Sequence, residues 1–409
     1  MCGETPEADG PSQYDLPSCV SCNGEQIISS CAAAGPFDLA IVGAGIIGLS
    51  CARAAALDGL RVVVIDRDAR SNGASVRNFG FVSVTGQERG TAWNRARRTC
   101  AIWEEVARQA GITITQRGLW MMARRAEAVS VLEAFVRTDM GEGCRILSRA
   151  AAIARCSELA GANVQAVLES SIDLRVESRE AVPKIAAWLA ERYGVVFLRE
   201  TAVLSVEPPR VETSRGVVDA GAAVVCPGDD LASLFPNQIA KYHVTRCKLQ
   251  MLRLADAGFR LPAVLMSDLG LLRYAGYSAL PEAAPLRQRL AAEQGEHLRQ
   301  GIHLIAVQSS DGSLVVGDSH HYAQTPDFFA DEGVDRLILE EFAAATGRAP
   351  GAVRERWTGT YPSCADRGMF IDAPARNVRI VMITSGSGAS TGFAIGEEVV
   401  AELFERSKG

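Results

Sequence analysis

One glycine-rich loop, residues 43–48 with the sequence Gly-Ala-Gly-Ile-Ile-Gly, constrains the fold of this chain more than any other feature. It follows a continuous apolar run at 38–42 and opens a helix-like stretch that reaches Leu57, after which a second apolar run at 61–65 leads to Asp66. Strands that are apolar throughout are buried on both faces, which is typical of a parallel sheet covered by helices. This order of elements predicts a Rossmann-type dinucleotide site.

Each glycine of the loop has a distinct task in such a site. Gly43 makes the tight turn, Gly45 lets the backbone approach the pyrophosphate, and Gly48 lets helix and strand touch. The phosphates are then expected at the helix N-terminus, where free N–H groups and the helix dipole favour an anion. Asp66 is expected to accept hydrogen bonds from the adenosine ribose. The alternative is a purely structural turn between a strand and a helix.

Two further glycine-rich turns, at 73–80 and 386–392, indicate which dinucleotide binds. Both allow the backbone to approach a planar ring, and the second again opens a helix. A helix N-terminus beside the pyrimidine part of an isoalloxazine would stabilise the negative charge that develops on reduction. FAD is therefore predicted rather than NAD. The residues expected to bind it, in these three segments and just after the second apolar run, are Gly43, Gly45, Ile46, Ile47, Gly48, Asp66, Arg67, Ser75, Arg77, Asn78, Phe79, Gly80, Gly386, Gly388, Ser390, Thr391 and Gly392.

The rest of the chain predicts an α/β protein of two domains. Further helix and apolar strand patterns recur near 181–198, 221–226 and 378–383, so the Rossmann-type FAD-binding domain is expected to be discontinuous. The segments between them have mixed and alternating patterns, which favour a second, α+β substrate domain built on a mainly antiparallel sheet. The predicted divisions are a flexible extension at 1–36, an FAD-binding domain at 37–85, 180–235 and 365–409, and a substrate domain at 86–179 and 236–364. Residues 279–299 are expected to form a solvated helix.

Charge and hydropathy exclude several classes of protein. The chain has 409 residues and a net charge of -6, which gives no electrostatic footprint for nucleic acid. The most apolar stretch, 39–51, is too short for a membrane span and is followed by Arg53. The N-terminal residues lack the pattern of a secretory signal, so the cytoplasm is the expected compartment.

The 11 cysteines are an odd number, and most lie singly in apolar surroundings, as expected for reduced thiols. Cys19 and Cys22 have the spacing of zinc ligands or of a redox pair, and Cys2 and Cys31 lie in the same polar tail. A second ligand pair at regular spacing is missing. A dispensable tail is therefore expected rather than a zinc site, and no metal site is predicted.

Several ordered motifs resemble the FAD-dependent amine oxidoreductases of the D-amino acid oxidase, glycine oxidase and sarcosine oxidase superfamily. They are the glycine loop, the turn at 74–80, Gly-Leu-Trp-Met-Met at 118–122, Trp-Thr-Gly-Thr-Tyr-Pro at 357–362 with Asp366, and the closing glycine turn. The resemblance covers about residues 37–409. It implies that the backbone of Val203 holds the adenine edge and that Gly228 packs against the cofactor.

The chain departs from this family at three positions. Glycine oxidase-like proteins clamp the substrate carboxylate with an arginine at the position of Tyr361, and sarcosine oxidase-like proteins use a lysine at the position of Ala394. The cysteine to which sarcosine oxidases attach flavin aligns with Gly359. The resemblance therefore implies non-covalent FAD and a substrate without the usual carboxylate clamps.

The turn at 77–80 and the segment 317–322 look like the branch of this superfamily associated with phosphonate breakdown, which implies an aminoethylphosphonate-type amine. A phosphonate needs several donors, and cationic side chains make charge-assisted hydrogen bonds to its oxygens. His320 and His321 would point to opposite faces of a strand, so one of them at most would face the site. The candidate substrate-binding and catalytic residues are Arg77, Arg246, Lys248, Arg273, His320 and Tyr361, any of which could instead form structural pairs.

The expected reaction is removal of hydride from the carbon beside an amine, which gives an imine that water hydrolyses to an aldehyde and a freed amine. Electrons would pass to O2 or to another acceptor. An oxidase or dehydrogenase of glycine, sarcosine or a D-amino acid is the alternative within the family. Two other classes remain open: a nicotinamide-dependent dehydrogenase, and a flavin-binding protein without catalysis.

Overall fold

The computed structural model describes residues 36–404, so the cysteines of the N-terminal tail and the predicted extension up to residue 35 lie outside the described residues. The strands are β1 (Phe37–Val42), β2 (Val62–Ile65), β3 (Phe81–Val82), β4 (Ile114–Ala123), β5 (Cys144–Ser148), β6 (Ala166–Val176), β7 (Val196–Leu198), β8 (Val203–Glu207), β9 (Arg210–Thr213), β10 (Gly216–Val225), β11 (Thr245–Leu254), β12 (Val264–Ser267), β13 (Ile305–Gln308), β14 (Leu314–Gly317), β15 (His321–Ala323), β16 (Val353–Ser363), β17 (Met369–Ala375) and β18 (Val378–Ile383). The helices are α1 (Ile46–Leu57), α2 (Thr91–Gln109), α3 (Ala126–Val136), α4 (Arg149–Arg155), α5 (Ser178–Tyr193), α6 (Pro236–Ala240), α7 (Gly270–Arg273), α8 (Ala275–Ser278), α9 (Ala283–Glu293), α10 (Gly295–Arg299), α11 (Glu332–Thr346) and α12 (Gly388–Phe404).

The first sheet has a parallel centre in the order β18, β10, β1, β2 and β7, with β17 antiparallel at one edge. All four residues of β2 and all six of β18 are buried, as the continuous apolar runs require. The small strands β8 and β9 extend β10 on one side. This sheet is the predicted Rossmann-type layer.

The carboxyl ends of three neighbouring strands place the cofactor motifs side by side. The glycine loop follows β1, Gly228 follows β10, and the closing glycine turn follows β18. Because these strands are parallel, their carboxyl ends lie at one edge of the sheet, where ligands bind in open α/β folds. Segments that are far apart in sequence therefore meet at one site.

The second sheet has ten strands and is mainly antiparallel, as predicted, with one parallel pairing between β4 and β12. Its central ladder runs from β11 through β14, β13 and β12 to β4 and β6, and β16 pairs along β11. One strand crosses the predicted domain division, since β3 pairs with β6 through Phe81 and Arg175. The sequence between 80 and 85 is too short to show which sheet it joins.

Helices α1 and α12 pack against each other beside the first sheet. A Cβ on Gly396 would lie 2.5 Å from the backbone carbon of Ser50, so the helix backbones are in contact at this point. Ile395, Val399 and Val400 form an apolar face of α12 that is buried against the first sheet's core. The N-terminus of α12 is thereby fixed near that of α1.

The prediction of one solvated helix at 279–299 was wrong. The chain forms α9 and α10 there, separated at Gln294, and Ala283, Leu286 and Leu290 of α9 are fully buried. These three residues form a narrow stripe that packs on α3. The many charged neighbours concealed this stripe in the sequence.

Residues 36–404 contain seven of the 11 cysteines. The seven cysteines in this part are free thiols, and none forms a disulfide with another. No helix in the described part combines the length and the apolar character that crossing a membrane requires.

Candidate active site

A cavity of about 810 Å³ runs from the glycine loop, along the carboxyl edge of the first sheet, to the second sheet. The first sheet contributes Gly45 and Gly228, and the closing turn contributes Gly386. The far end is lined by Arg273 and Tyr361 from the second sheet region. The cavity therefore joins the predicted cofactor motifs to the predicted substrate domain.

The glycine loop leaves no room for side chains on two of its glycines. Gly43 has φ +100°, and a Cβ there would lie 2.5 Å from the carbonyl oxygen of Cys226. A Cβ on Gly48 would lie 1.9 Å from the carbonyl oxygen of Gly43. Gly45 is the residue before α1, and it lines the cavity. The loop backbone is thus exposed to the cavity where a pyrophosphate would bind.

Asp66 lies at the end of β2 and reaches back to the loop. Its Oδ2 accepts a hydrogen bond of 2.6 Å from the backbone N–H of Ala44, and its Oδ1 accepts one of 2.9 Å from Asp68 N–H. Arg199 Nη1 lies 3.9 Å from the same carboxylate. An acidic side chain in this position matches the ribose-binding role in the dinucleotide fingerprint.

The turn at 73–80 contacts the loop directly, because the Ser75 hydroxyl accepts a hydrogen bond of 2.9 Å from the backbone N–H of Ile46. The Asn78 side chain holds the turn, with Oδ1 accepting from Gly80 N–H at 2.7 Å. Trp357 Nε1 donates to the carbonyl of Arg77 at 3.2 Å. Two of the resembling motifs are thereby connected in space.

The closing turn lies against a tyrosine of the second sheet. Gly386 has φ +72°, and a Cβ on it would lie 3.2 Å from Cζ of Tyr361. Ser390 Oγ accepts a hydrogen bond of 2.9 Å from Ser83 N–H, which fixes the start of α12. The backbone of this turn and the Tyr361 ring form one wall of the cavity.

Most of the residues predicted to bind FAD fall in or directly behind this cavity wall. Gly45, Ile46, Ile47, Ser75, Arg77, Asn78, Phe79, Gly228, Gly386, Gly388, Ser390 and Thr391 line it. Gly43, Gly48, Gly80 and Gly392 lie behind the lining, where each makes close backbone or side-chain contacts. Three predicted residues lie outside the lining: Asp66 accepts a hydrogen bond from the glycine loop, Arg67 pairs with Asp230 on the surface, and Val203 begins β8. The loop, the turns and the size of the cavity fit FAD.

At the other end of the cavity, Arg273 pairs with Tyr361; the tyrosine is buried, whereas the arginine is exposed and lines the cavity. Arg273 Nη2 donates to the Tyr361 hydroxyl at 3.1 Å, and Tyr361 is 7% exposed. Burial raises the pKa of Tyr361 well above its usual value. Burial alone would lower the pKa of Arg273, but nearby Tyr361, Tyr322 and Asp318 outweigh it and raise that pKa. The guanidinium is a cation facing the cavity.

Arg246 and Lys248 lie outside the cavity lining, although both were predicted as substrate donors. Arg246 donates to the carbonyls of Asp229 and Gln324. Lys248 Nζ donates to Asp327 Oδ1 at 2.7 Å and to the carbonyl of Phe329 at 2.9 Å. Both cations are structural partners of loops, because they point to the face of β11 that leads away from the cavity residues.

A buried cluster of His303, Asp318 and His320 lines the cavity beside Arg273. His303 Nδ1 lies 3.0 Å from Asp318 Oδ1, and His320 Nε2 lies 3.7 Å from Asp318 Oδ2. Burial raises the pKa of Asp318, although His320 and Arg273 act against it. Burial also lowers the pKa of His320 to about 3, although Asp318 acts against it. Each of the three residues offers one atom of a kind that can bind a metal ion, and these atoms lie within 4.8 Å of one another. The sequence had predicted no metal site.

The sequence pattern predicted His320 as a site residue but did not indicate His303 or Asp318. Ile305 lies opposite Gly317 in the pairing of β13 with β14, so His303 approaches Asp318 just beyond the paired residues. Alternation also places Asp318 and His320 on one face, whereas His321 turns away and its Nε2 contacts Gln300 Oε1 at 2.7 Å. The spacing of Asp318 and His320 was a usable signal, but the approach of His303 depends on strand pairing.

Comparison with solved structures shows the same fold in several oxidases and dehydrogenases. Glycine oxidase from Bacillus cereus superimposes with a TM-score of 0.73 at 15% identity, covering 91% of this chain and 96% of that one. L-proline dehydrogenase from P. horikoshii gives a TM-score of 0.71 at 18% identity, covering 91% and 95%. Iminodiacetate oxidase from Chelativorans sp. gives a TM-score of 0.68 at 16% identity, covering 90% and 95%.

Comparison with curated protein sequences finds no significant match. Residues 38–403 match the family described as FAD dependent oxidoreductase, DAO. The match spans both sheets and nearly all of the described residues. The chain therefore belongs to the DAO family of FAD dependent oxidoreductases and is an enzyme whose cofactor is FAD.

Proposed function

We propose that this enzyme oxidises a small amine that carries an anionic group. The bond that breaks is the C–H bond beside the nitrogen, and the resulting imine is hydrolysed to an aldehyde and a freed amine. FAD, when bound, supplies the hydride acceptor. The remaining requirements of the reaction fall on the side chains at the far end of the cavity.

The observation that carries the proposal is the Arg273–Tyr361 pair beside the closing turn. A guanidinium that lines a cavity is suited to an anion, because charge-assisted hydrogen bonds are strong where water is scarce. Tyr361 contacts Gly386 of the turn that would face the flavin. An anion held by Arg273 would therefore lie within a short distance of the reacting ring, with its position set by a rigid strand.

Positioning is the main contribution that these residues would make. An anion clamp fixes the register of the substrate, so that one C–H bond is presented to the cofactor. The buried side chains around Arg273 exclude water and so strengthen each electrostatic contact. The hydride transfer step itself requires no proton transfer by Arg273 or Tyr361.

We further propose a phosphonate as the anionic group, with an aminoethylphosphonate-type or N-methylated aminophosphonate as substrate. This is supported by the missing carboxylate clamps of the family. Ala394 is buried in α12, where its N–H donates to Thr99 Oγ1 at 3.0 Å, and it does not line the cavity. Like Arg273, Arg77 lines the cavity, and its guanidinium could donate hydrogen bonds to a third oxygen of the phosphonate.

The alternative substrate is an amine with a carboxylate, such as glycine, sarcosine or a D-amino acid. The names of the similar structures, glycine oxidase and iminodiacetate oxidase, favour this class. A single guanidinium can bind a carboxylate in bidentate geometry. Arg273, at the end of α7, would then replace the family's clamp from a different element.

Anaerobic reduction of the flavin, followed by its absorbance, tests both levels of the proposal. Candidate amines are 2-aminoethylphosphonate, its N-methyl and 1-hydroxy forms, glycine, sarcosine and D-alanine. Rapid bleaching by the phosphonates and slow bleaching by the others is expected. Fast reduction by the carboxylates alone would overturn the phosphonate assignment and leave amine oxidation standing. A flavin that no amine reduces would instead favour a flavin-binding protein without catalysis.

A further inference from the structure

The buried cluster at the end of β14 contains more acceptor atoms than its own hydrogens can satisfy. His320 Nδ1 lies 2.9 Å from the carbonyl of Gly301. A carbonyl oxygen can only accept, so Nδ1 carries the hydrogen and the neutral ring presents a lone pair at Nε2. That lone pair faces Asp318 Oδ2 at 3.7 Å. Two hydrogen-bond acceptors, His320 Nε2 and Asp318 Oδ2, therefore face each other in the lining of the cavity.

The second carboxylate oxygen is also without a hydrogen-bond partner. Among the described residues, His303 Nδ1 and Asp318 Oδ1 are both buried polar atoms that make no hydrogen bond of good geometry, although they lie 3.0 Å apart. Buried polar atoms are rarely left unpaired, and such atoms in a cavity indicate a bound group. The missing partner must be a donor.

We propose that Asp318 and His320 bind the ammonium group of the substrate, and that Asp318 accepts its proton before hydride transfer. The inference rests on the proposed amine oxidation. The N–H bond breaks, an O–H bond forms on the Asp318 carboxylate, and the electron pair stays on nitrogen. Hydride can leave the adjacent carbon only when this pair is free to form the imine. Asp318 is thereby a catalytic residue, and its proton leaves after the product does.

The positions of the charges agree with a zwitterionic substrate. His320 and Tyr361 have ring centroids 6.4 Å apart, so the donor-seeking cluster and the Arg273–Tyr361 pair lie at neighbouring points of one cavity. An anion at Arg273 and an ammonium at Asp318 would each meet the opposite charge. A molecule of two or three carbons between its charges spans such a separation.

A metal ion is the other ligand that such a cluster could hold, and the charges nearby favour the amine. Arg273 lies close enough to lower the pKa values of both His303 and His320. A divalent cation in the cluster would meet this guanidinium with little water between them. An ammonium carries half that charge, and it loses its proton to the site.

The pH dependence of flavin reduction gives the direct test on the wild-type enzyme. A free amine has a pKa of about 10, so about one molecule in a thousand is unprotonated at pH 7. With an internal base, the reduction rate at substrate concentrations well below saturation should be nearly constant between about pH 7 and pH 9. A rate that rises tenfold per pH unit over this range would show that the amine is deprotonated in solution, and would overturn the proposal.

Asp318→Asn removes the base while keeping the shape of the side chain. The rate of flavin reduction by 2-aminoethylphosphonate, or by the amine that best reduces the wild type, should fall about 100- to 1,000-fold at pH 7. It should then climb tenfold per pH unit toward pH 10. Asp219→Asn, an exposed carboxylate on β10, is the matched control and should match the wild type. An unchanged pH profile in Asp318→Asn would contradict the assignment.

Five other titratable groups lie close enough to Asp318 to affect the pH profile of flavin reduction. They are His303, His320, Arg273, Tyr274 and Cys247, each of which interacts electrostatically with Asp318 or pairs with it. Burial raises the pKa of Cys247 to about 11 and that of Tyr274, and it lowers the pKa of each histidine. Asp318 is thus the group expected to set the acid limb.

Asp318→Ala provides a second variant whose outcome depends on chemistry rather than on folding. Its cavity should admit formate, and added formate should restore flavin reduction at pH 7 by about tenfold or more if a carboxylate base is required. FAD content and the flavin spectrum, measured first, report whether the site is intact. Failure of formate to restore an FAD-loaded variant would count against the base.

The remaining outcomes separate this inference from the proposed function. If wild-type flavin is reduced by no amine, the proposed function fails. If the wild type is reduced and Asp318→Asn is reduced equally well at pH 7, only the role of Asp318 fails. A stoichiometric metal in the purified enzyme, lost together with activity in Asp318→Asn, would assign the cluster to the metal and overturn the amine site.

Discussion

Arg273 Nη2 donates a 3.1 Å hydrogen bond to the hydroxyl of Tyr361, and this pair joins two segments that are 88 residues apart. Arg273 ends the short helix α7, and Tyr361 lies in β16. The tyrosine in turn contacts Gly386 of the closing turn. A cation is thereby held against the wall that would face the flavin, which is the arrangement that an anionic substrate needs.

Arg273→Gln should weaken binding of the substrate, because the cavity loses the cation that lines it. A charge-assisted hydrogen bond contributes about 1.5–3 kcal/mol, which corresponds to roughly a 10- to 150-fold increase in the dissociation constant. Titration of the reduction rate against substrate concentration measures it. Arg336→Gln, an exposed arginine on α11, should behave as the wild type. Unaltered affinity in Arg273→Gln would remove the anion site from this end of the cavity.

Tyr361→Phe should have a smaller effect than the loss of Arg273. The ring still packs on Gly386, and the Arg273 cation, which lines the cavity, can bind water in place of the hydroxyl, so a net loss of about 0.5–1.5 kcal/mol is expected. A 2- to 10-fold weaker substrate affinity is expected, with the flavin content unchanged. The same titration, combined with the absorbance ratio of flavin to protein, checks both. Loss of FAD from this variant would show that Tyr361 mainly supports the cofactor.

Gly48→Ala should impair cofactor binding. The added methyl group would lie 1.9 Å from the carbonyl oxygen of Gly43. The backbone at Gly48 is fixed within α1, and that of Gly43 directly follows β1. Strain of about 1–3 kcal/mol would shift the loop and weaken FAD binding by about tenfold or more. Flavin absorbance after gel filtration measures this. Gly295→Ala, where the nearest atom is the flexible end of Arg299 at 3.7 Å, serves as the control.

Lys248→Met should lower stability and leave the reaction nearly unchanged. Lys248 is 7% exposed and its ammonium holds the loop containing Asp327 and Phe329, away from the cavity lining. A loss of about 1–3 kcal/mol in the free energy of unfolding is expected, with a flavin reduction rate within about twofold of the wild type. Denaturant unfolding and stopped-flow absorbance check the two parts. Substrate affinity as poor as that of Arg273→Gln would place Lys248 in the site after all.

Acid denaturation should release all of the flavin into the supernatant. By the resemblance to sarcosine oxidases, Gly359 aligns with the cysteine to which those enzymes attach flavin. A Cβ at Gly359 would lie 3.2 Å from the carbonyl oxygen of Arg77. Two other thiols, Cys226 and Cys364, line the cavity. Yellow colour retained in the washed precipitate would contradict the non-covalent prediction, and Cys364→Ser would then show whether that thiol is responsible.

Local pattern was sufficient for the cofactor half of the molecule. Continuous apolar strands, a glycine loop at fixed spacing and an acid at the end of β2 are short-range features, because one strand, turn and helix build most of the phosphate site. The fold class and FAD followed from them. The wrong prediction of one solvated helix at 279–299 shows the limit of local pattern. Three apolar residues among many charged ones can be recognised as buried only when the packing of α9 against α3 is known.

The substrate half depended on contacts that no local pattern contains. By itself, the sequence determined the fold class, the cofactor and the presence of His320 and Arg273 as candidates. The tertiary structure decided that Arg246 and Lys248 turn away, and that His303 meets Asp318 beside Arg273. The reason is physical: side-chain direction on a strand alternates locally, whereas the partner that a side chain meets is set by pairing between distant strands.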